Sequence, residues 1–311
     1  VPYNVFDGWH YGQINVPISR LKNGTLWNNS MNLAIGANGA DRTINWDGCI
    51  EERQTVSQSS YSPIPSGAKD LNIDLVPSTG DATTQWKPAL PDAIYLRKIF
   101  TSYSELDTAD VAKTNDEYYN SVPYYCPTEA KKLQAWPVAT DFDDYVDSLT
   151  PSGNTYHDIG MIWGARLASP TGIFASENAL TPLGGEIDRH IIFMTDGDAQ
   201  GASCDYSAYG VAFFDRRTTT SVGSASNCGN SNSAVIDQIN ARLDGLCTAV
   251  KNMRNTTLWV ISFGSGSNTA TETRLSNCAT PGRYFTARSS SSLQSTFASI
   301  ANQISQLRLT R

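Results

Sequence analysis

Apolar and polar residues follow different patterns in the two parts of the chain. Before residue 130 they show no regular period, and Asn, Ser, Thr, Pro and Gly are frequent. SQSSYSPIPSGAK (57–69) and PSTGDATTQW (77–86) are typical of loops. PDAIYLRKIFTSY (91–103) has apolar residues at helical spacing and Pro91 at its start, so it predicts a helix. We therefore predict a large, loop-rich elaboration over residues 10–130.

From residue 131 onward, apolar runs alternate with amphipathic stretches. The apolar runs predict strands near 132–136, 190–195, 258–263 and 283–286, and VPYN (1–4) predicts a further strand. Apolar residues at helical spacing predict helices at 140–149, 156–168, 233–254 and 290–307. Strands that are apolar throughout are buried on both faces, so helices must cover both. The predicted fold class is α/β, with a mainly parallel, doubly wound sheet flanked by helices.

Composition and charge narrow the class of protein. The 311 residues carry a formal net charge of −7, the pI is about 5.0, and no basic cluster occurs, which argues against nucleic acid as a partner. No apolar run approaches the about 18 residues of a membrane span, so none is expected in this chain. Because Val1 lies inside a predicted strand, we expect an export signal or a membrane anchor upstream of it.

The six cysteines are scattered along the chain and form no C-x-x-C pair, which argues against a zinc ribbon or a thioredoxin-like site. An even number of separated cysteines is typical of disulfides, so we expect an oxidising, extracytoplasmic compartment. We predict that Cys247–Cys278 joins a long helix to a later loop and that Cys204–Cys228 closes the insertion after TDGD. The third predicted pair, Cys49–Cys126, holds the amino-terminal elaboration.

The polar cluster TDGD (195–198) follows an apolar run that predicts a strand. Ligands of parallel sheets gather at the carboxyl ends of the strands, where Asp196 and Asp198 are expected. One interpretation is a phosphohydrolase of haloacid-dehalogenase-like pattern, with Asp196 as nucleophile, Asp198 as general acid and Ser262 as phosphate ligand. The chain lacks the later acidic pair that this pattern requires.

Two other interpretations of the cluster remain open. Hard cations bind carboxylate and hydroxyl oxygens, which Asp196 and Thr155 of the SGNT loop would supply. Asp-Gly is also a common turn that needs no ligand. Asp198 is expected to cap or turn the chain.

Five segments occur in an order that matches a known family. They are WDGCIEER (46–53), SGNTYHDIGMIWGARLASP (152–170), RHIIFMTDGD (189–198), WVISFG (259–264) and the stretch 275–310. Together they resemble the von Willebrand factor A-like region of TadG-type Tad (tight adherence) pilus-assembly proteins. The resemblance implies a single von Willebrand factor A-like domain over residues 1–311, with its core at 131–311.

The resemblance also implies a function. It indicates a non-enzymatic, extracytoplasmic adhesion or assembly module of a bacterial Tad-type pilus or envelope system, with other pilus or envelope proteins as partners. A free-standing surface adhesin or binding protein of another system is the alternative.

The chain departs from this family in one respect. The family's domain opens with a strand that ends in an Asp-x-Ser/Thr-x-Ser motif, and no such motif occurs here. Thr155 and Asp196 would then form an incomplete metal-ion-dependent adhesion site, so Mg²⁺ or Ca²⁺ is expected to bind weakly or not at all to this chain alone. A missing central strand leaves sheet edges unpaired, so we expect a second chain or a cleaved segment to complete the sheet.

Overall fold

The computed structural model describes residues 16, 18–21, 30–34, 40–93, 124–181, 183–224 and 227–309. The chain divides into two compact units. The first unit comprises Val1–Ser59, Pro65–Asn154 and Gln200–Gln238, and the second comprises Ser60–Ile64, Thr155–Ala199 and Ile239–Arg311. The predicted strand at 1–4 and most of the predicted helix at 91–103 lie outside the described residues, and the predicted domain boundaries remain a prediction.

The strands and helices are numbered in chain order. The strands are β1 (Ser30–Leu33), β2 (Arg42–Asn45), β3 (Ile50–Glu51), β4 (Lys87–Pro88), β5 (Arg189–Gly197), β6 (Tyr206–Ser207), β7 (Gly210–Val211), β8 (Thr256–Gly266) and β9 (Tyr284–Ala287). The helices are α1 (Ala139–Asp147), α2 (His157–Ala168), α3 (Ala175–Asn178), α4 (Ala212–Asp215), α5 (Ser233–Lys251), α6 (Thr269–Cys278) and α7 (Ser290–Leu309).

The first unit contains short antiparallel pairs, β1 with β2, β3 with β4 and β6 with β7. A buried polar network joins β3 to β6. The Tyr206 hydroxyl donates to Oε1 of Glu51 at 2.6 Å, and the Arg217 guanidinium donates to Oε2 of the same carboxylate at 2.8 Å. Because both oxygens of Glu51 are satisfied, this carboxylate can be buried at little cost. Part of the WDGCIEER motif therefore has a structural role.

The second unit contains a parallel sheet of order β5-β8-β9. Helix α2 packs on one face of β5, where its glycines let the backbones approach. A Cβ at Gly160 would lie 3.8 Å from Phe193, and one at Gly164 would lie 4.0 Å from Ile191. Helix α7 covers the opposite face, where Ile300 packs with Trp259, Ile261 and Ala287. The described fold is thus α/β, a parallel three-stranded sheet with helices on both faces, as predicted.

Three of the predicted strands and all four predicted helices after residue 131 are present, with ends shifted by a few residues. The predicted strand at 132–136 is wrong, because that segment is irregular and Trp136 packs instead against Phe142 and Tyr145 of α1. The expectation that α1 covers the sheet is also wrong, since none of its residues is buried. Helix α6 was not predicted, and Cys278 ends this helix rather than lying in a loop.

All three predicted disulfides are confirmed. Cys49 bonds to Cys126, Cys204 to Cys228 and Cys247 to Cys278. Such bonds persist in oxidising compartments, so the protein is extracytoplasmic. Among the described helices, none has the length and apolar character needed to cross a bilayer.

Candidate functional site

The TDGD segment and the segment Phe263–Gly266 meet at the carboxyl ends of β5 and β8. Thr195 pairs with Ser262 and Gly197 pairs with Gly266, so Asp196 alone lies opposite the three residues 263–265 of β8. This bulge brings the two backbones close together. A Cβ at Gly266 would overlap the carbonyl oxygen of Asp196 and would lie 3.3 Å from Cα of Gly197. Glycine at 266 is therefore required for the bulge that positions Asp196.

His157 connects the first turn of α2 to the end of β5. Its Nε2 lies 2.9 Å from the Thr195 hydroxyl, and its ring meets Phe193 edge-on. The side chain is buried, and Nδ1 has no hydrogen-bond partner among the described residues. Burial lowers the pKa of His157 to about 4, against the opposing effect of the Asp198 carboxylate. The imidazole is therefore neutral at pH 7, and the ring acts as a spacer between α2 and β5.

The two predicted metal ligands flank this contact. Thr155 is half-buried and lies two residues before His157, and Asp196 is exposed and directly follows Thr195. The hydrogen bond between His157 and Thr195 therefore holds the first turn of α2, two residues after Thr155, against the end of β5. Asp196 presents its carboxylate to solvent there.

Asp198 forms hydrogen bonds to the residue that begins α6, which agrees with the expectation that it caps or turns the chain. Its Oδ1 accepts from the backbone N–H of Asn268 at 3.0 Å, and its Oδ2 accepts from the Asn268 side-chain amide at 2.6 Å. Asn268 is itself the N-cap of α6 and accepts from the N–H of Thr271. Partial burial raises the pKa of Asp198, but hydrogen bonds from Thr271 and Asn268 outweigh it and lower the pKa overall.

Ser262 belongs to a second network at this edge. Its hydroxyl donates to Oε1 of Glu272 at 2.8 Å, and Arg288 donates to the same oxygen at 3.0 Å. The Tyr284 hydroxyl donates to the other oxygen, Oε2. Burial and the hydrogen bond to Glu272 raise the pKa of Tyr284 to about 12. The network links α6 to β8 and β9. The Ser262 hydroxyl donates its hydrogen bond within this network.

The donor set fits a hard cation poorly. Magnesium takes about six oxygen ligands in a near-octahedral arrangement. Thr155 and Asp196 supply one hydroxyl and one carboxylate, while Asp198 is engaged with Asn268. In the part of the chain that the structure describes, the one group of three potential metal-ligating residues is Asp47, Cys49 and Cys126. Because these two cysteines form a disulfide, they provide no thiolate ligands.

A cleft of about 740 Å³ lies at the opposite, amino-terminal end of the sheet. His190, Lys251 and Arg283 line it, and each contacts protein groups. The indole N–H of Trp259 donates to Nδ1 of His190, Lys251 donates to the carbonyl of Asn277, and Arg283 donates to the Gln303 side chain. These bonds fix the cleft walls and give no indication of a ligand class.

Sequence reasoning missed His157, Asn268 and Glu272. The signal for the first was its position two residues after Thr155, at the start of an amphipathic helix. Asn268 followed by Glu272 in the next turn is a helix-start pattern, which would have predicted α6.

No protein family, no curated protein and no solved structure matches this chain.

Proposed function

We propose that the protein is a non-enzymatic, extracytoplasmic adhesion or assembly module of a bacterial Tad-type pilus or envelope system, built on a von Willebrand factor A-like domain. One observation carries this proposal. At the carboxyl edge of the sheet Asp196 is exposed, while the polar groups around it are held in hydrogen bonds that join helices to strands. An edge of this kind suits contact with an external partner better than chemistry, which requires a nucleophile beside an available base.

The edge of β5 supports a partner that completes the sheet. Among the described residues, β5 pairs only with β8. Ile192 and Met194 are 38% and 47% exposed, whereas their neighbours in β8, Trp259 and Ile261, are fully buried. Parallel sheets are normally covered on both faces. A further strand from a second chain or a cleaved segment would pair with this edge, and the chain connected to it would cover the apolar surface.

Metal binding is a minor part of the proposal. We expect Mg²⁺ or Ca²⁺ to bind this chain at millimolar affinity or not at all, because Thr155 and Asp196 offer too few oxygens. Titration calorimetry with MgCl₂ tests this expectation, with Asp196→Ala as the matched variant. Saturable micromolar binding that disappears in Asp196→Ala would contradict it.

Two alternatives predict different results. A free-standing surface adhesin would bind cell surfaces but no pilus protein, and its gene would not lie beside pilus-assembly genes. A phosphohydrolase would require Asp198 as general acid and Ser262 as phosphate ligand, but these groups are bound to Asn268 and Glu272.

A binding assay tests the proposal directly. The purified protein is immobilised and titrated with the assembly subunits of a Tad-type pilus. We expect binding that weakens at least tenfold in Asp196→Ala and is unchanged in Asp237→Ala, which removes an exposed carboxylate on α5. No binding of any subunit would contradict the proposal. Hydrolysis of a generic phosphate ester that depends on Asp196 would favour the phosphohydrolase.

A further inference from the structure

An arm of the first unit exposes an unusual amount of apolar surface. The arm is defined as residues 124–150 and contains α1. Half of the large apolar side chains that are exposed among the described residues belong to it, and their exposed fractions run from 36% to 55%. They are Tyr125, Leu133, Val138, Phe142, Val146 and Leu149. Exposed apolar side chains concentrated in one segment of a folded protein are typical of an interaction site.

Apolar residues on and beside α1 form one stripe. With about 100° of rotation per residue, Phe142 and Val146 lie on the same side of α1, and Val138 and Leu149 flank its two ends. A turn follows the helix and holds Leu149 beside its last turn, because the Leu149 N–H donates to the carbonyl of Val146 at 3.0 Å. All four side chains are between 43% and 48% exposed. A nine-residue helix is marginal in water without packing, so an apolar stripe on it indicates a partner.

The arm is held in shape by its own contacts. The Trp136 ring stacks on Tyr145 with centroids 5.6 Å apart and meets Phe142 edge-on at 5.4 Å. The Thr128 hydroxyl donates to the carbonyl of Ser148 at 2.8 Å, and the Tyr145 hydroxyl donates to the carbonyl of Glu129 at 3.2 Å. The stripe is therefore preorganised, which lowers the entropic cost of binding.

Charge identifies the chemistry of the partner. The helix contains four aspartates and no basic residue. The rest of the arm adds Glu129, Lys131 and Lys132, so two lysines against five carboxylates leave the arm acidic, and Lys131 is paired with Glu129. The helical period places Asp141 and Asp143 along the two borders of the stripe, with Asp144 and Asp147 on the opposite face. Two copies of this surface would repel each other, and an anionic membrane would repel it as well. A surface with basic residues on both sides of an apolar ridge is complementary to it.

We propose that the stripe of α1 docks a partner protein through a basic amphipathic helix, whose apolar face covers Val138, Phe142, Val146 and Leu149 and whose Lys or Arg residues face Asp141 and Asp143. In this mode of binding, one helix packs against another through apolar residues that are spaced three and four positions apart. This inference is independent of the carboxyl edge of the sheet and of the function proposed for it.

Two synthetic peptides test the inference by fluorescence anisotropy. The first is a 20-residue helix of Leu and Lys with Leu on one face, and the second has the same composition with Leu spread around the helix. We expect saturable, salt-sensitive binding of the first peptide and at least tenfold weaker binding of the second. Equal binding of both peptides, or no binding of the first, would overturn the proposal.

Matched variants locate the binding. Val146→Ser with Leu149→Ser removes apolar surface from the stripe, and Leu180→Ser with Leu183→Ser removes exposed apolar surface from the second unit. We expect the first pair to weaken binding at least tenfold and the second pair to leave it unchanged. Asp141→Asn with Asp143→Asn should weaken binding and reduce its salt dependence, unlike Asp237→Asn. All of these positions are solvent-exposed, and circular dichroism checks folding. Binding that is insensitive to the stripe variants would overturn the proposal.

Discussion

At the scale of single residues, the carboxyl edge of the sheet is defined by side chains that fix backbone positions. His157 lies between α2 and β5, and Asp198 accepts hydrogen bonds from Asn268. Glu272 accepts hydrogen bonds from the hydroxyls of Ser262 and Tyr284. Asp196, between Thr195 and Gly197, is exposed to solvent. The residue types alone suggested a catalytic or metal-binding cluster, and the hydrogen bonds assign most of them to structure.

His157 makes the protein sensitive to mild acid. Its pKa is about 4 in the folded state and about 6.5 in an unfolded chain, so the unfolded state binds more protons between these values. The free energy of unfolding therefore falls as the pH drops from about 6.5 to about 4, by at most about 3 kcal/mol, and this contribution changes no further below pH 4. Urea unfolding at pH 7.0, 5.5 and 4.5 measures it. His157→Gln should lose this slope, and an unchanged slope would show that other groups cause it.

Gly266 is predicted to be irreplaceable at the bulge. A methyl group there collides with the backbone of Asp196, so Gly266→Ala should lower the free energy of unfolding by about 1–3 kcal/mol and weaken any binding that depends on Asp196. Gly160→Ala is the matched control. Its Cβ would be in ordinary contact with Phe193, and alanine favours the helix by up to about 1 kcal/mol. Equal stability of the two variants would show that the bulge adapts.

At the scale of elements, the sequence predicted the helices whose apolar residues recur periodically, and it missed the elements that depend on single side-chain contacts. Helices α2, α5 and α7 were predictable because their apolar residues recur at helical spacing over several turns. The segment 132–136 has the composition of a strand, but Trp136 finds its partners in the adjacent helix α1. Helix α6 is rich in Thr, Ser and Asn and has weak helix propensity, and it depends on the Asn268 cap, a buried Leu275 and the Cys278 disulfide. Contacts of these kinds produce no periodic pattern of apolar residues in the sequence.

A buried ion pair joins α2 to α5. Nε of Arg242 donates to Oδ2 of Asp158 at 2.8 Å, and both side chains are almost completely buried. Asp158→Asn removes the carboxylate charge from this buried pair, so we expect a loss of about 3–5 kcal/mol in the free energy of unfolding. Thermal and urea denaturation measure the loss.

A double variant separates the charge from the packing. Asp158→Leu combined with Arg242→Met removes both charges and keeps most of the volume, so it should recover much of the stability lost in Asp158→Asn. Arg274→Gln is the surface control, because its partner Asp244 is about half exposed, and it should cost less than about 1 kcal/mol. A double variant less stable than Asp158→Asn would contradict this account.

At the scale of the whole molecule, three covalent links constrain the chain. The three disulfides span 77, 24 and 31 residues of sequence. Their pairing was predictable from chain order and the placement of the cysteines. The exposure of Ile192 and Met194 was not predictable, because it depends on the sheet order, in which β5 pairs only with β8 among the described residues.

Compartment is therefore expected to decide whether the chain folds. On the loop-entropy model each disulfide contributes about 3–5 kcal/mol, so the three together are comparable with the about 5–15 kcal/mol that stabilises a typical domain. Expression in a bacterial periplasm should give folded protein with no free thiols, and expression in a reducing cytosol should give protein that aggregates or is degraded.

Removal of one disulfide tests its contribution separately. The variant Cys247→Ser with Cys278→Ser, made in the periplasm, should have a free energy of unfolding that is lower by about 4 kcal/mol, because the disulfide closes a loop of 31 residues. Near-ultraviolet circular dichroism and thiol titration measure these outcomes. Cytosolic protein that is fully reduced and equally stable would show that the bonds are dispensable, and the extracytoplasmic assignment would lose its main support.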